Sequence, residues 1–123
     1  LCGGIQLKTK GPLRHVSNCH CRQCMKTHGN YAAYTNALEK DIKFIKKGTL
    51  KWFKSSKKAR RGFCNKCGAS IFFKFLGSDD ISIAAGMFQN PTKLKTTINI
   101  FVKGKLDYYK LDNKLSKFSR YSK

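Results

Sequence analysis

The sequence predicts a mainly β fold of antiparallel strands with very little helix. Strand-forming aromatic residues are frequent, with nine Phe, five Tyr and one Trp among 123 residues. Short apolar segments alternate with turns that contain Gly, and only one segment ends in the manner of a helix. A chain of this length matches the size of one compact domain, so residues 1–123 are expected to form a single domain.

The predicted elements follow one another at short intervals along the chain. Residues 21–28 are predicted to form one or two helical turns, because the segment is short, polar and followed by Gly29. Residues 42–45 and 50–53 are predicted to pair as a hairpin around Lys47-Gly48, and the basic tail 103–123 is expected to pack on the outside. Further strands are predicted at residues 4–8, 13–16, 31–35, 70–75, 81–85 and 97–102.

Six cysteines in a chain of this size indicate either a disulfide framework or bound metal. The sequence shows no apolar secretory segment, and no apolar run approaches the roughly 18 residues that a membrane span needs. The cysteines also stand at the spacings of metal ligands. We therefore predict a cytoplasmic zinc protein that does not associate with membranes.

The cysteine motifs indicate two kinds of zinc site. Cys64 and Cys67 form C-x-x-C, and a tight turn of this kind places two thiolates on one side of the backbone, as tetrahedral zinc requires. Cys19, Cys21 and Cys24 form C-x-C-x-x-C. Three thiolates so close together can cap one face of a zinc ion and leave its fourth position open, which is typical of a catalytic site.

A single structural zinc site is the alternative that spacing alone leaves open. It would take its four ligands from the two C-x-x-C pairs, namely Cys21, Cys24, Cys64 and Cys67. About 40 residues would separate the pairs, whereas roughly 15–20 is usual in a zinc ribbon. This arrangement would also leave Cys2 and Cys19 without a role.

Four motifs together resemble a known family. They are C-G-G-I at 2–5, C-H-C-R-Q-C-M-K-T-H-G at 19–29, S-S-K-K-A-R-R-G-F-C-N-K-C-G-A-S-I-F at 55–72 and A-G-M-F-Q-N-P at 85–91. The set is similar to that of the glutathione-dependent formaldehyde-activating enzymes, also called S-(hydroxymethyl)glutathione synthases. The centromere protein V family shares this domain. The resemblance covers nearly the whole chain.

The resemblance implies an Mss4-like fold of antiparallel strands with zinc-binding turns and two zinc ions. Carried over by position, Cys19, Cys21 and Cys24 are the ligands of a catalytic zinc. The structural zinc takes Cys64 and Cys67 together with Cys2. Sequences of the family usually begin with C-x-C-G, which supplies two zinc ligands. Here only the second of these cysteines, Cys2, is present, because the position of the first falls just before Leu1.

The reaction implied by the resemblance condenses glutathione with formaldehyde, or a related small aldehyde, to S-(hydroxymethyl)glutathione, so the enzyme is a carbon–sulfur lyase. Arg61 matches the family's R-x-F-C position and could bind a carboxylate of glutathione, with Lys26 as a second candidate for substrate binding. The alternative is that Arg60 and Arg61 are only a solvated pair on a basic strand. His20 is expected to point away from the metal, and His28 to close the helical turn.

The net charge of +20 supports a competing function, a basic zinc module that associates with nucleic acid or chromatin. The basic run at residues 54–61 is the best support for it. However, this run lies within the motif that leads into the C-x-x-C pair. Lys also outnumbers Arg about four to one, whereas base and phosphate recognition favours Arg. We therefore expect only weak, non-specific affinity for nucleic acid.

Overall fold

The computed structural model describes residues 1–122 as a mainly β protein with one α-helix. The helix, α1, spans Arg22–His28, and three short 3₁₀ turns lie at Glu39–Asp41, Ala85–Met87 and Val102–Gly104. None of the described helices is long and apolar enough to span a bilayer. The strands are β1 Gln6–Thr9, β2 Val16–Cys19, β3 Ala32–Leu38, β4 Ile42–Lys46, β5 Leu50–Lys54, β6 Ala59–Cys64, β7 Ser70–Phe75, β8 Asp80–Ala84, β9 Thr96–Ile100 and β10 Ser116–Lys117.

The strands form two sheets. The large sheet has eight strands in the order β10-β9-β2-β3-β8-β7-β6-β5, and β1 pairs with β4 in a small sheet of two strands. Most neighbours are antiparallel, and only β2 with β9 and β9 with β10 are parallel among the described pairs. The predicted class, mainly β with very little helix, is therefore confirmed.

One face of the large sheet carries the larger of two buried apolar clusters. Phe72 and Ile83 are almost completely buried, at 1% and 0% exposure, and Phe44 of the small sheet meets the Phe72 ring edge to face. Trp52 stacks on Phe72, with the two ring centroids 5.7 Å apart, and so belongs to the same apolar cluster. The small sheet thus covers one face of the large sheet and leaves the opposite face available for a site.

The predicted hairpin of residues 42–45 and 50–53 is wrong. A turn does form there, since the Leu50 amide donates to the Lys47 carbonyl, but it passes the chain from the small sheet to the large one. β4 pairs with β1, and β5 pairs with β6. β6 was not predicted, because its Arg60-Arg61-Gly62 centre has weak strand propensity. Because β6 was not recognised, the sequence offered β4 as the partner of β5, whereas β5 pairs with β6.

The helix and five of the other six predicted strands are confirmed, most with shifted ends, whereas the strand predicted at 13–16 is wrong for residues 13–15. The predicted strand at 13–16 begins only at Val16, and the helix begins at Arg22 with Cys21 as its N-cap. The tail packs against the outside, as expected. It adds β10 to the sheet beside β9, and the Tyr109 hydroxyl lies 2.6 Å from His20 Nδ1.

Candidate active site

The first cysteine cluster lies where β2 passes into α1. Cys19 ends β2, Cys21 caps the helix, and Cys24 lies in the first helical turn, where its amide donates to Cys21 Sγ at 3.3 Å. Gly29 closes this short helix with a φ of 75°, a left-handed conformation that glycine adopts without strain. The three Sγ atoms lie within 4.8 Å of one another, with Cys19 and Cys24 buried and Cys21 half-buried.

The second cysteine cluster lies at the end of β6. Cys64 is the last residue of that strand, and Gly68 returns the chain with a φ of 77° while its amide donates to the Cys64 carbonyl. Cys67 and the exposed Cys2 complete a second group whose Sγ atoms lie within 4.8 Å. Hydrogen bonds lower the pKa of the Cys64 thiol to about 6; the largest contribution comes from the Thr49 hydroxyl, 3.2 Å from Cys64 Sγ, followed by the backbone amide of Cys67.

Both clusters have the geometry of a metal site. All six cysteines are free thiols, and Cys2 Sγ lies 3.6 Å from Cys64 Sγ, well beyond the roughly 2.05 Å of a disulfide. Tetrahedral zinc with bonds of about 2.3 Å would hold two sulfurs about 3.8 Å apart. Three thiolates at this spacing fit zinc in each cluster. The structure does not bring the two C-x-x-C pairs of the alternative single site together.

A buried cation lies beside the first cluster. Arg61 is 6% exposed, and its Nη2 contacts Cys24 Sγ at 3.6 Å while its Nη1 donates to the Tyr34 hydroxyl at 3.2 Å. Burial lowers the pKa of Arg61, but hydrogen bonding and charge attraction from Cys24 more than compensate, so the net pKa is raised. The positive charge of Arg61 would therefore offset negative charge on the cluster whenever its thiols are deprotonated, as they are in a metal site.

A cavity of about 550 Å³ opens beside the first cluster on the face of the large sheet away from the core. Side chains along a strand alternate between the two faces, so each strand contributes every second residue to the lining. One part of the lining is aromatic and aliphatic, with Phe73, Phe75, Ile98, Ile100, Phe101 and Tyr121. The other part is polar, with Arg14, Ser17, Asn36, Asp80 and Ser82.

The structure places the two predicted substrate-binding residues differently. Arg61 lines the cavity, whereas Lys26 is exposed on α1 and is not among the described lining residues. The histidines belong to neither cysteine cluster. The His20 ring bonds to Tyr109 and to Asn99, and His28 Nε2 lies 2.8 Å from the Tyr34 hydroxyl.

Several lining residues were not recognised in the sequence. Tyr34, Arg14 and Asp80 come from separate segments, and nothing in their local patterns marks them. Ser17 could have been found, because it stands two residues before Cys19 on one strand and so faces the same side.

Comparison with known proteins identifies the family. A family model described as glutathione-dependent formaldehyde-activating enzyme matches residues 1–104. The chain belongs to this family. The match contains all six cysteines and Arg61, whereas Tyr121 of the cavity lining lies beyond it.

Two related proteins extend the comparison. An uncharacterized lyase of Schizosaccharomyces pombe is 26% identical over 121 residues, which are 97% of this chain and 87% of the yeast protein. A crystal structure of a Rhodobacter sphaeroides protein superimposes with a TM-score of 0.59 at 17% identity, covering 75% of this chain and 86% of that one. The second likeness shows that the fold is shared.

Proposed function

We propose that this family member is a carbon–sulfur lyase that condenses glutathione with formaldehyde, or a related small aldehyde, to S-(hydroxymethyl)glutathione. The observation that carries the proposal is the buried cluster of Cys19, Cys21 and Cys24 at the wall of a large cavity, with Arg61 in contact. The lyase name of the yeast relative supports the reaction class.

Zinc is the metal that we propose for both clusters. Held by Cys19, Cys21 and Cys24, it would keep a substrate thiol in its deprotonated, nucleophilic form. Three thiolate ligands make it a poor Lewis acid, so capture of a thiolate fits this ligand set better than activation of water. Cys2, Cys64 and Cys67 would hold the second, structural zinc.

The reaction needs little from the protein besides a thiolate and a cavity that orients it. The sulfur lone pair forms a bond to the aldehyde carbon, the π pair of the carbonyl moves to oxygen, and that oxygen takes the proton that the thiol gave up. Arg61 would offset the negative charge that a further thiolate adds beside Cys24. Arg61 and Lys26 are also our candidates for binding glutathione carboxylates, and Arg61 is the one that lines the cavity.

Calorimetric titration of the zinc-loaded protein tests the proposal. Glutathione should bind much more tightly than S-methylglutathione, because the methylated ligand keeps both carboxylates but cannot supply a thiolate. NMR should show faster exchange between glutathione plus formaldehyde and the hydroxymethyl adduct when the protein is present. Equal affinity for the two ligands would contradict capture of the sulfur.

Cysteine variants separate the two clusters. Cys19→Ser should lose glutathione binding and one equivalent of zinc while the domain stays folded. Cys64→Ser should instead lower the thermal midpoint strongly, because the free energy of binding a structural zinc is part of the free energy of folding. Loss of the fold in both variants, or in neither, would contradict the division into a catalytic and a structural site.

A further inference from the structure

A histidine lies between two cysteines of the first cluster in the sequence but on the other side of the sheet from the cavity. His20 is 1% exposed, and its Nε2 lies 2.8 Å from Asn99 Oδ1 of β9. Ile98 and Ile100 line the cavity, so Asn99 between them points to the opposite face of the sheet. The His20 ring therefore lies behind the cysteines, outside the space that a substrate would fill.

Both ring nitrogens of His20 have a hydrogen-bond partner. Asn99 Oδ1 can only accept, so Nε2 carries the proton and donates to it. In the neutral ring Nδ1 is then an acceptor, and the Tyr109 hydroxyl donates to it across 2.6 Å. Asn99 belongs to the sheet and Tyr109 to the tail. The ring thus joins the cysteine segment to two other parts of the chain.

Tyr109 is held in place by contacts of its own. Its ring centroid lies 5.8 Å from that of Tyr31, and Lys105 Nζ lies over the ring, 4.6 Å from its centroid. Its hydroxyl also lies 3.6 Å from Met25 Sδ of α1. The family match ends at residue 104, so Tyr109 comes from a part of the chain outside that match. The tail therefore contributes a polar group directly behind the first cluster.

The main chain of this segment is fixed as well. The His20 amide donates to the Ile100 carbonyl at 3.0 Å. The 3₁₀ turn Val102–Gly104 lies so close that a Cβ on Gly104 would be 3.0 Å from the His20 carbonyl oxygen and 3.5 Å from Cys21 Cα. Side chain and backbone of His20 are thus held from separate directions.

The position of this segment matters because it sets where two of the three sulfurs lie. The Sγ atoms of the first cluster lie within 4.8 Å of one another, and as thiolates they repel one another until a cation binds. A segment that is free to relax would let them move apart, and a metal would then have to order it again. A segment that is already fixed loses less conformational entropy when the metal binds, so its affinity for the metal is higher.

We propose that His20 is a positioning residue for the first cluster and that Tyr109 of the tail completes it. The three residues His20, Asn99 and Tyr109 are here called the histidine latch. The latch touches neither metal nor substrate, and it acts through Cys19 and Cys21, which flank the ring. The proposal rests on the proposed function, because it takes the first cluster to hold a metal. The alternative is a core histidine that stabilises the fold and does nothing for the cysteines.

Tyr109→Phe tests the latch with a small change, because it removes one hydroxyl and keeps the ring. In titrations of zinc against a competing chelator, the affinity of the first cluster should fall about tenfold, since the buried Nδ1 loses its donor and the segment is released. The affinity of the second cluster should not change. Tyr108→Phe is the matched control, because the hydroxyl of this exposed neighbour donates to Asn30 instead. It should leave both affinities unchanged.

Gly104→Ala gives a second measurement that leaves the ring and its partners intact. The added Cβ should push the His20 carbonyl away and so weaken zinc binding at the first cluster. Gly86→Ala is its control, because Gly86 also lies in a 3₁₀ turn but a Cβ there meets no atom within 4 Å.

Cadmium-113 NMR of the cadmium-loaded protein reports the geometry of each cluster separately. The resonance of the first cluster is the one that Cys19→Ser abolishes. In Tyr109→Phe and in Gly104→Ala this resonance should shift, whereas that of the second cluster should stay in place. A role in fold stability alone would move neither resonance.

The outcomes distinguish the latch from the proposed function. If Tyr109→Phe and Gly104→Ala lower the thermal midpoint but leave the zinc affinity of the first cluster unchanged, or weaken both clusters equally, the latch is refuted and the lyase proposal stands. If the unsubstituted protein binds no metal at the first cluster, both proposals fail. Selective weakening at the first cluster, with its cadmium resonance shifted, supports the latch.

Discussion

At the scale of single residues, Arg61 connects the sheet to the first cysteine cluster. Its guanidinium is almost fully buried and divides its contacts between Cys24, Tyr34 and Gln23. A buried cation is tolerated only when negative or polar partners surround it; Tyr34 and Gln23 are polar partners, and the cysteines would add negative charge in the proposed metal site. Arg61 therefore interacts electrostatically with the cluster, independently of any role in binding a substrate carboxylate.

The first prediction follows from this contact. Arg61→Met should weaken zinc binding at Cys19, Cys21 and Cys24 by about 10–100-fold, the usual effect of removing a group that orients or neutralises metal ligands. Competition with a chelator measures the affinity, and the Cys2, Cys64 and Cys67 site serves as an internal reference. Arg60→Met is the matched control, because its guanidinium lies over Trp52. Equal weakening in both variants would show that the Cys24 contact does not matter.

At the scale of secondary-structure elements, the sequence predicted most strands but not all their partners. Aromatic segments such as Ser70–Phe75 were recognised because the side chains that favour strands also form the core. β6 was missed because its centre contains two arginines and a glycine. Its strand conformation depends on neighbours on both sides, β5 and β7, which local propensity does not reveal.

Gly62 shows why β6 needs its unusual composition. A Cβ at this position would lie 2.9 Å from Phe72 Cδ2 and 3.1 Å from Trp52 Cζ3. Phe72 is 1% exposed and packs against Phe44 as well, so it cannot move aside freely. The close approach of β6 to the aromatic core therefore requires a residue without a side chain.

The second prediction tests this packing. Gly62→Ala should destabilise the metal-loaded protein by about 1–3 kcal/mol, the range typical of overpacked cores, as measured by denaturant unfolding. Gly48→Ala is the control, because a Cβ there meets no atom within 4 Å, and its effect should stay within about 0.5 kcal/mol. A neutral Gly62→Ala would mean that Phe72 and Trp52 can repack.

At the scale of the whole molecule, the net charge of +20 is the feature that the proposed reaction does not require. The charge comes mainly from lysines, and most of them are exposed. Such a surface attracts polyanions without recognising their sequence. In the proposed function the cysteine clusters and the cavity provide the chemistry, and the charge would add only general attraction for anions.

The third prediction concerns DNA. Affinity for duplex DNA should be weak, independent of sequence, and should fall steeply between about 50 and 200 mM salt, because binding releases counterions from the phosphates. Fluorescence anisotropy with two unrelated duplexes measures it. Tight, sequence-dependent binding at physiological salt would instead favour the nucleic-acid module.

The candidate site could be predicted from the sequence only where its residues are close in the chain. Cys19, Cys21 and Cys24 lie within six residues, and their spacing alone indicates a shared metal. Cys2 joins Cys64 across about half of the chain, and its grouping came from the family resemblance. The polar residues of the cavity carry no motif, and only the register of the sheet shows that they are neighbours.

The two faces of the large sheet have different roles, and this affects how the ligand preference of the protein can change in evolution. Alternate positions of one strand face different requirements: Phe72 must fill the core, while the adjacent Phe73 lines the cavity. A substitution at a cavity position therefore alters which ligand fits and leaves the packing around Phe72 in place, although it changes contacts of the smaller buried cluster that includes Tyr34. Descendants of one ancestral gene can in this way acquire new substrates step by step, by changes that spare the core around Phe72.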